Sequence, residues 1–315
     1  MQSDFSIEYK DQKEVYEQLI HHLRNFFAKC GFKKAVLGLS GGLDSTICAV
    51  LLADALGAEN VVGISLPSKL TPDTSNSDAK ELAGNLGINY QIVPIAPIVD
   101  QFNAQLNNAF SNLDKDFSKA GNSFTQDNLQ ARSRATILYA VSNQYESMLP
   151  IATSDKSEIY MGYGTLNGDL SGVIAPLADV CKTELFSLGY WMNENRQSKN
   201  GIPVSILKKR PSAELAIDPA TNKLLCAEDA LMPYEFIDEI IWLIENKKLT
   251  QDEILNVSLT YTKKYNIVKA QQNEWIAKFF HRMRTQHFKL ALLPPAICLR
   301  DNSYLKSCNK VYSGL

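Results

Sequence analysis

The stretch KAVLGLSGGLDSTICAVLLADALG, residues 34–57, decides the fold of this protein. Its first residues form a short apolar run typical of a buried strand, and its last residues form an apolar segment closed by a glycine, which predicts a helix. Between the two stand Ser40, Gly41 and Gly42, followed by Asp44. A strand that leads through two glycines into a helix brings backbone N–H groups and the positive end of the helix to one point. The stretch therefore predicts an anion-binding loop.

The side chains of this loop are suited to a phosphate accompanied by a cation. Gly41 and Gly42 lack the Cβ atoms that would obstruct an approaching anion. The pattern has neither the lysine of a Walker A loop nor the G-x-G-x-x-G spacing of a dinucleotide fingerprint. Asp44 would repel a phosphate unless a cation such as Mg²⁺ lay between them, so the loop predicts ATP bound with its metal. The simpler alternative is a tight turn in which Asp44 caps the helix. The hydroxyl groups that can donate hydrogen bonds are those of Ser40, Ser45 and Thr46.

Short apolar runs alternate with helical segments on both sides of the loop. The predicted strands are residues 34–40, 60–67, 88–95 and 147–154, and the predicted helices are residues 13–30, 44–57, 77–87, 127–146 and 182–195. Such alternation is typical of a parallel sheet whose strands are joined by crossover helices. We therefore predict an α/β fold with a doubly wound parallel sheet flanked by helices.

The regions outside this pattern set the predicted domain organisation. Residues 103–126 are polar and weakly patterned, so we predict an excursion there rather than an element of the sheet. Residues 199–227, rich in Pro, Asn and Lys, are predicted to form a loop. The remaining stretch is mostly helical up to a pair of prolines. We predict a single domain over residues 1–315, with a nucleotide-binding α/β core at about 32–195 and a helical C-terminal extension at about 196–315.

The composition excludes several classes of protein. Hydrophobic residues make up 45% of the 315-residue chain, which is enough for a large core. The formal net charge of -2 gives no basis for nucleic-acid binding, which favours a strongly basic face. No stretch approaches the roughly 18 apolar residues of a membrane-spanning helix, and the N-terminus lacks the apolar region of a secretory signal. The six cysteines are scattered without metal-ligand spacing, so we predict reduced thiols in a cytoplasmic protein.

The complete loop, S-G-G-x-D-S, resembles that of the N-type ATP pyrophosphatase superfamily, whose fold is adenine nucleotide alpha hydrolase-like. The resemblance implies an enzyme that cuts ATP between the α- and β-phosphates and transfers AMP to a carboxylate or carbonyl oxygen. A nitrogen or sulfur nucleophile then displaces the AMP. The loop alone does not choose among NAD, GMP, asparagine and argininosuccinate synthetases or tRNA-modifying enzymes.

Four further segments, in order along the chain, resemble motifs of NAD synthetases. They are NLQARSRATILYAVSN at 128–143, IATSDKSEIYMGYGTLNGDLSGVIAPLADVCKTEL at 151–185, RPSAELA at 210–216 followed by ALMPYEFIDEII at 230–241, and HFKLALLPPAI at 287–297. The chain departs from the family pattern at Ser154, where glycine is common, and at Leu290 and Ala291, which replace a basic pair. The chain as a whole resembles the NAD synthetase family, and within it the synthetase domain of the glutamine-type enzymes.

The resemblance implies roles for individual residues. The catalytic residues would be Asp44, Glu158 and Lys182, with Asp44 and Glu158 as ligands of the metal. Lys69 and Asp78, in the polar loop after the second predicted strand, match a segment that covers ATP. The positions that match ATP contacts are Gly38, Ser40, Gly41, Gly42, Asp44, Ser45, Thr153, Lys182 and Ser212. The positions that match deamido-NAD contacts are Asn128, Arg132, Glu158 and Lys289.

Several of these assignments have a simpler alternative that the sequence leaves open. Glu158 could be an exposed carboxylate on a helix, and Lys182 a solvated lysine at a helix start. Arg132, which shares a helix face with Asn128 four residues earlier, could belong to a surface salt bridge. Lys289 could be a solvated lysine in the tail. The four histidines, none of which is assigned a catalytic role, are His21, His22, His281 and His287.

The resemblance implies an ammonia-dependent NAD synthetase that uses ATP and Mg²⁺. The nicotinate carboxylate of deamido-NAD would attack the α-phosphate of ATP, and ammonia would then displace AMP to give NAD. We expect free ammonia or a separate protein to supply the nitrogen, because no nitrilase-like segment precedes the synthetase motifs. The resemblance also implies a homodimer. Two alternatives stay open: another ATP-pyrophosphatase amidotransferase, such as a GMP synthetase-like enzyme, and a non-catalytic nucleotide-binding protein.

Overall fold

The computed structural model of the chain describes residues 7, 9–112, 116–118, 124–196, 201–212, 226–308 and 310–312. Its strands are β1 (Lys34–Gly38), β2 (Val61–Ser65), β3 (Asn89–Ile92) and β4 (Met148–Pro150). Its α-helices are α1 (Gln12–Cys30), α2 (Leu43–Leu56), α3 (Asp73–Leu86), α4 (Ala96–Ala109), α5 (Phe124–Gln144), α6 (Lys156–Tyr160), α7 (Lys182–Asn195), α8 (Val204–Lys208), α9 (Ala227–Ala230), α10 (Tyr234–Lys247), α11 (Gln251–Leu255), α12 (Thr260–Lys264), α13 (Lys269–Thr285) and α14 (Tyr304–Ser307). Two 3₁₀ helices cover Ala58–Asn60 and His287–Leu292.

Within the described residues, the sheet has four parallel strands in the order β3-β2-β1-β4. β1 lies between β2 and β4, and its residues Ala35, Val36 and Leu37 are fully buried. A strand that is covered on both faces is expected to be continuously apolar, as the KAVLG stretch is. The predicted parallel, doubly wound α/β fold is confirmed.

Helices pack on both faces of this sheet. On one face α1, α2 and α7 enclose the largest apolar core, which includes Leu19, Leu51 and Leu188. On the other face α4 and α5 cover a smaller cluster that contains Val36 and Val99. Because both faces are covered with apolar side chains, the hydrophobic effect holds the sheet and its helices together as one layered unit.

The strand order creates a crevice at one edge of the sheet. The chain leaves β1 toward β2 on one side and returns to β4 on the other side of β1. The connections that follow β1 and β4 therefore diverge, and open α/β sheets bind ligands at such a point. The segments that reach this crevice are the glycine loop, residues 39–42, and residues 151–155.

The predicted excursion is partly helical. Residues 103–109 belong to α4, in which Val99 and Asn103, one turn apart, are the buried residues. A helix that buries so narrow a face needs few apolar residues, so its sequence lacks the apolar periodicity by which helices are predicted. Residues 103–109 lie outside the sheet, as predicted, although the helix itself was not predicted. Residues 113–115 and 119–123 of the predicted excursion lie outside the described residues.

Two further boundaries differ from the prediction. α3 begins at Asp73, four residues before the predicted start. Asp78, which the resemblance assigned to a polar loop, lies on this helix. α8 lies within the predicted loop at 199–227, of which residues 199–200 and 213–225 fall outside the described residues.

The C-terminal region is largely helical, as predicted, and its end returns to the main core. Residues of α6, α10 and α13 form a second apolar cluster. Beyond them, Ala296 forms bridges with Ala175 and Val311, and Ile297 and Leu299 pack into the same core as α1 and α2. The division of a single domain into core and extension stays a prediction. Among the described residues, no helix is long and apolar enough to cross a bilayer.

Candidate active site

The glycine loop joins β1 to α2 and is held in place by α3. Gly41 has a left-handed backbone, with φ of 75°, and a Cβ atom there would lie 2.2 Å from Ser75 O. The backbone conformation and the neighbouring helix therefore require glycine at this position. Ser40 Oγ accepts a hydrogen bond from Gly42 N–H at 3.2 Å, which keeps the turn closed. The loop thus places Gly42 at the start of α2.

Asp44 lies in the first turn of α2 and does not cap it. Gly42 occupies the N-cap position, and the helix start has no hydrogen bond from a capping side chain. Both carboxylate oxygens of Asp44 instead accept hydrogen bonds from Lys182 Nζ, at 2.7 and 2.8 Å. The alternative in which Asp44 caps the helix is wrong, because its carboxylate is directed toward the crevice.

The residues that follow β4 bring two more carboxylates to the same place. Asp155 is the N-cap of α6, and its Oδ1 accepts a hydrogen bond from Glu158 N–H at 2.9 Å. This bond fixes the first turn of α6 and with it the position of Glu158. The side chain of Glu158 is 18% exposed, so it is not the solvated helix carboxylate that the sequence allowed.

Lys182, the first residue of α7, lies between these carboxylates. Its Nζ is 2.7 Å from Asp44 Oδ1, 2.6 Å from Asp155 Oδ2 and 3.0 Å from Glu158 Oε1. The lysine side chain is 1% exposed, so it is not a solvated lysine at a helix start. We call Asp44, Asp155, Glu158 and Lys182 the carboxylate–lysine cluster.

Burial and neighbouring charges shift the ionisation of the cluster. Burial raises the pKa of Glu158 to about 7; the Lys182 ammonium opposes this shift and the Asp44 carboxylate adds to it. Burial also raises the pKa of Asp155, again opposed by Lys182. Burial by itself would lower the pKa of Lys182, but the three neighbouring carboxylates outweigh it and raise that pKa. The lysine is therefore held as an ammonium ion.

The cluster fits a divalent cation. Carboxylate oxygens of Asp44, Asp155 and Glu158 lie within 4.8 Å of one another, and Mg²⁺ prefers such oxygen ligands. Asp155 Oδ2 is buried and accepts no hydrogen bond from the described residues, although Lys182 Nζ is close to it. The cluster holds three carboxylates and one ammonium, so it is suited to a further cation.

The cluster borders a cavity of about 250 Å³. Residues from the glycine loop, from the end of β4 and from the segment before residue 213 meet in its wall, although they are far apart in sequence. A pocket with apolar walls and a few convergent polar groups is typical of a small-molecule site. The predicted site residues that line it are Gly38, Ser40, Gly42, Asp44, Ser45, Thr153, Glu158, Lys182 and Ser212.

Three residues that match deamido-NAD contacts lie outside the cavity wall formed by the described residues. Each donates or accepts a hydrogen bond with residues 162–169, which we call the post-α6 loop. This loop lines the cavity through Tyr163, Gly168 and Asp169, so the three residues are connected to the cavity through it. The bonds are Thr165 Oγ1 to Asn128 Oδ1 at 2.7 Å, Arg132 Nε to Leu166 O at 3.1 Å, and Lys289 Nζ to Gly162 O and Gly164 O, each at 2.7 Å.

Other predicted residues are also placed elsewhere. Gly41, Lys69 and Asp78 lie outside the described cavity wall. Lys69 forms an ion pair with exposed Asp100 at 2.7 Å. The carboxylate of Asp78 accepts a hydrogen bond from Ser205 Oγ at 2.7 Å. The side chain of Thr46 is fully buried and is likewise not in the described wall. The four histidines lie on helical segments and are absent from the described cavity wall.

The sequence analysis missed several charged residues at the site, namely Asp155 in the cluster and Arg134, Asp169, Lys209 and Arg210 in the cavity wall. Asp155 could have been predicted from the sequence, because it is a carboxylate shortly after β4, at the edge of the sheet where β1 also ends. Arg134 lines the cavity and its Nε donates to Leu66 O at 3.0 Å. It lies two residues from Arg132 and therefore on the opposite side of α5. The N-x-x-A-R pattern selected the outward-facing arginine of the two.

Comparison with known proteins identifies the family. A family model described as NAD synthase matches residues 15–278. The chain is 35% identical over 294 residues to the glutamine-dependent NAD(+) synthetase of Synechocystis sp., in an alignment that covers 93% of this chain and 48% of that protein. The chain spans about half the length of the curated relatives it matches.

Two solved structures are similar in fold and sequence. An NH3-dependent NAD synthetase from Campylobacter jejuni has a TM-score of 0.64 and 26% identity, covering 89% of this chain and 96% of that one. An NMN synthetase from Francisella tularensis has a TM-score of 0.65 and 25% identity, covering 93% of this chain and 100% of that one. Because the family match contains the glycine loop, the carboxylate–lysine cluster and much of the helical region, this chain belongs to the NAD synthase family.

Proposed function

We propose that this chain forms NAD from deamido-NAD, ammonia and Mg-ATP, and is thus a carbon–nitrogen ligase. The observation that carries the proposal is the carboxylate–lysine cluster beside the glycine loop, at the switch point of the sheet. A loop and helix start of this kind are suited to phosphate, and three carboxylates around one ammonium are suited to a nucleotide that arrives with its cation.

The proposed reaction has two steps. A carboxylate oxygen of the nicotinate ring attacks the α-phosphorus of ATP, the bond from that phosphorus to pyrophosphate breaks, and an acyl adenylate forms. The nitrogen of ammonia then attacks the carbonyl carbon, the carbon–oxygen bond to AMP breaks, and the nitrogen loses a proton to give the amide. A bound Mg²⁺ would neutralise phosphate charge and orient the triphosphate.

The residues of the cavity would act by positioning and by charge stabilisation. Backbone N–H groups in the first turn of α2 would bind phosphate oxygens. Lys182 would stabilise the negative charge that grows on pyrophosphate as it leaves. Thr153 and Ser212, which line the cavity, would contact the nucleotide. The scheme uses no protein nucleophile, so the orientation of the two substrates supplies much of the rate.

Ammonia is proposed as the nitrogen source because the NH3-dependent relative from Campylobacter jejuni is matched over 96% of its length. The test is to supply the purified chain with Mg-ATP, deamido-NAD and either ammonium chloride or glutamine, and to measure NAD and pyrophosphate by chromatography. We expect both products with ammonium. Failure with ammonium would contradict the proposal, and product with glutamine alone would overturn the ammonia assignment.

The similarity to an NMN synthetase over its whole length favours one competing substrate, nicotinic acid mononucleotide. In the same assay this mononucleotide would replace deamido-NAD, with NMN as the product. We expect kcat/KM to be higher for deamido-NAD, and the reverse order would replace the main proposal. ATP binding without turnover of either substrate would favour a non-catalytic nucleotide-binding protein.

The proposal includes a homodimer. The aromatic side chains of Phe102 on α4 and of Phe124 and Tyr139 on α5 are 48%, 86% and 39% exposed, and interfaces between proteins are enriched in such side chains. Light scattering on the purified chain tests this point, because a dimer would have twice the mass of the 35.1 kDa chain. A monomeric mass at micromolar concentration would contradict it.

A further inference from the structure

The ammonium group of Lys182 occupies the point where the carboxylates of the cluster converge. A lysine that served the phosphates alone would have no reason to be surrounded by acidic groups. Here both oxygens of Asp44 and Oε1 of Glu158 accept hydrogen bonds from Nζ, and Asp155 Oδ2 lies 2.6 Å from it. The lysine is therefore positioned as a cation among anions.

The exposure of the side chains divides the cluster into two pairs. Lys182 and Asp155 are 1% and 0% exposed, whereas Asp44 and Glu158 are 23% and 18% exposed and line the cavity. A buried charge that loses its partner is strongly destabilising. Carboxylates that line an open cavity can exchange one cation for another at a much lower cost.

A divalent cation that binds Asp44 and Glu158 would compete with the ammonium for the same oxygens. These oxygens already accept hydrogen bonds from Lys182, and two cations on one carboxylate repel each other in a poorly solvated site. The ammonium has three N–H donors, so it can give up its hydrogen bonds to the carboxylates of Asp44 and Glu158 and keep its contact with Asp155.

We propose that Lys182 is a resident cation which neutralises Asp44 and Glu158 and releases them to a divalent cation when Mg-ATP binds. Asp155 is the positioning residue that keeps the ammonium in the site during this exchange. The two N–H donors that are freed then face the phosphates in the cavity. The identity of the nucleotide and of the cation rests on the proposed function, but the exchange itself is testable without turnover.

The test measures binding of Mg²⁺ alone, by titration calorimetry, to the full chain. In the double variant Asp155→Asn/Lys182→Met the net charge of the cluster is unchanged, because one anion and one cation are removed together. A higher affinity for Mg²⁺ in this variant would therefore mean that the carboxylate oxygens of Asp44 and Glu158 no longer bind an ammonium, and not that the overall charge has changed. We expect the double variant to bind Mg²⁺ at least tenfold more tightly than the unaltered chain. Equal or weaker binding would overturn the proposal.

A matched control comes from the same cavity. Lys209 also lines it, but its ammonium lies 2.5 Å from Ser75 Oγ. We expect Lys209→Met to change the affinity for Mg²⁺ less than threefold. An increase as large as that of the double variant would show that general cavity charge, and not exchange at Lys182, controls the affinity, and would overturn the proposal.

A second measurement follows the exchange in the unaltered chain and uses variants only to assign the signal and to test the role of Asp155. The buried ammonium of Lys182 is expected to give a ¹⁵N-edited NMR signal, assigned by its loss in Lys182→Arg. Adding Mg²⁺ with α,β-methylene-ATP should shift this signal, and no shift at saturation would overturn the proposal. In Asp155→Asn the ¹⁵N signal of Lys182 should broaden. The Glu158 amide should stay protected from hydrogen exchange, since Asn can still cap α6. Loss of both the sharp Lys182 signal and the Glu158 protection would show that Asp155 has a purely structural role, and would overturn its role in positioning the ammonium. If NAD formation fails but these results hold, only the proposed function falls.

Discussion

The Nζ atom of Lys182 lies 2.7 Å from Oδ1 and 2.8 Å from Oδ2 of Asp44. This contact joins the start of α7 to the first turn of α2, although the two residues are 138 positions apart in the chain. The glycine loop and the cluster are thus one unit, and a change in Asp44 affects the ligand site more than the fold.

Asp44→Asn should abolish cation-dependent ATP binding while leaving the protein at least as stable. Lys182 keeps two carboxylate partners in this variant, and one repulsive charge is removed from the cluster. We expect the affinity for Mg-ATP to fall at least 100-fold and the thermal midpoint without nucleotide to stay equal or rise. Calorimetry and thermal unfolding measure the two effects. Asp73→Asn, at the exposed start of α3, is the control and should change neither the affinity for Mg-ATP nor the thermal midpoint. Normal binding of Mg-ATP by Asp44→Asn would contradict this prediction.

Binding of Mg²⁺ should weaken as the pH falls below about 7. Burial raises the pKa of Glu158 to about 7, and a metal must displace the proton that the carboxylate then holds. We expect the affinity to rise up to this pH, to level off above it, and to fall by about tenfold for each pH unit below it. Titrations in two buffers of different ionisation enthalpy would detect the released proton. Glu158→Gln should remove the pH dependence, and a flat profile for the unaltered chain would refute the assignment.

The same pKa has a consequence for stability. Because the folded-state pKa of Glu158 lies above its ordinary value of 4.5, the folded state binds this proton more tightly than the unfolded state does. The contribution of Glu158 to the free energy of unfolding is therefore present below about pH 4.5 and is lost as the pH rises toward 7.

The sequence predicts the fold well because the fold depends on local patterns. The apolar run before Ser40 and the helix after Gly42 are each evident from the residues alone, and alternation of strands and helices implies a parallel sheet. The position of Lys182 is not predictable in the same way, since its partners come from α2 and α6. Its contacts arise from tertiary packing, which periodicity does not report.

The candidate site is predicted best where one motif carries both backbone and side-chain requirements. Such motifs identify Asp44 and Glu158, whereas they give no role to Asp155, which both caps α6 and contacts Lys182. Arg134 is missed because a linear pattern does not show which face of α5 turns toward the sheet. The pattern assigns Lys289 to the ligand, but in the fold its donors bond backbone carbonyls.

Two glycine-to-alanine substitutions should have opposite effects on stability. At Gly41 the backbone is left-handed and a Cβ would lie 2.2 Å from Ser75 O, so Gly41→Ala should cost about 1–3 kcal/mol. At Gly84, within α3, a Cβ would meet no atom within 4 Å, so Gly84→Ala should add about 0.5–1 kcal/mol through helix propensity. Urea unfolding of both variants measures the difference. Equal effects at the two positions would argue against the loop geometry.

Lys156 should be essential to stability although it lies outside the described cavity wall. Its Nζ is 2.8 Å from Asp179 Oδ1 and also contacts Glu245, and all three side chains are at most 3% exposed. Lys156→Met would leave two buried carboxylates without this partner, at a cost of about 3–5 kcal/mol. Lys69→Met breaks an exposed pair and should cost about 0–1 kcal/mol. If denaturant unfolding gave similar values for the two, the buried network would not have the role assigned to it.

Lys289 should act on the cavity by anchoring the post-α6 loop. Its ammonium donates to Gly162 O and Gly164 O, on either side of Tyr163, which lines the cavity. In Lys289→Met we expect faster hydrogen exchange at the amides of Tyr163 and Thr165, measured without nucleotide, together with a higher KM for deamido-NAD. Lys310→Met removes a comparable lysine–carbonyl bond, to Ala291 O at 2.8 Å, and should leave exchange in the loop unchanged. A raised KM with unaltered exchange would instead mean that Lys289 contacts deamido-NAD directly, because loss of a ligand contact does not loosen a loop in the free protein.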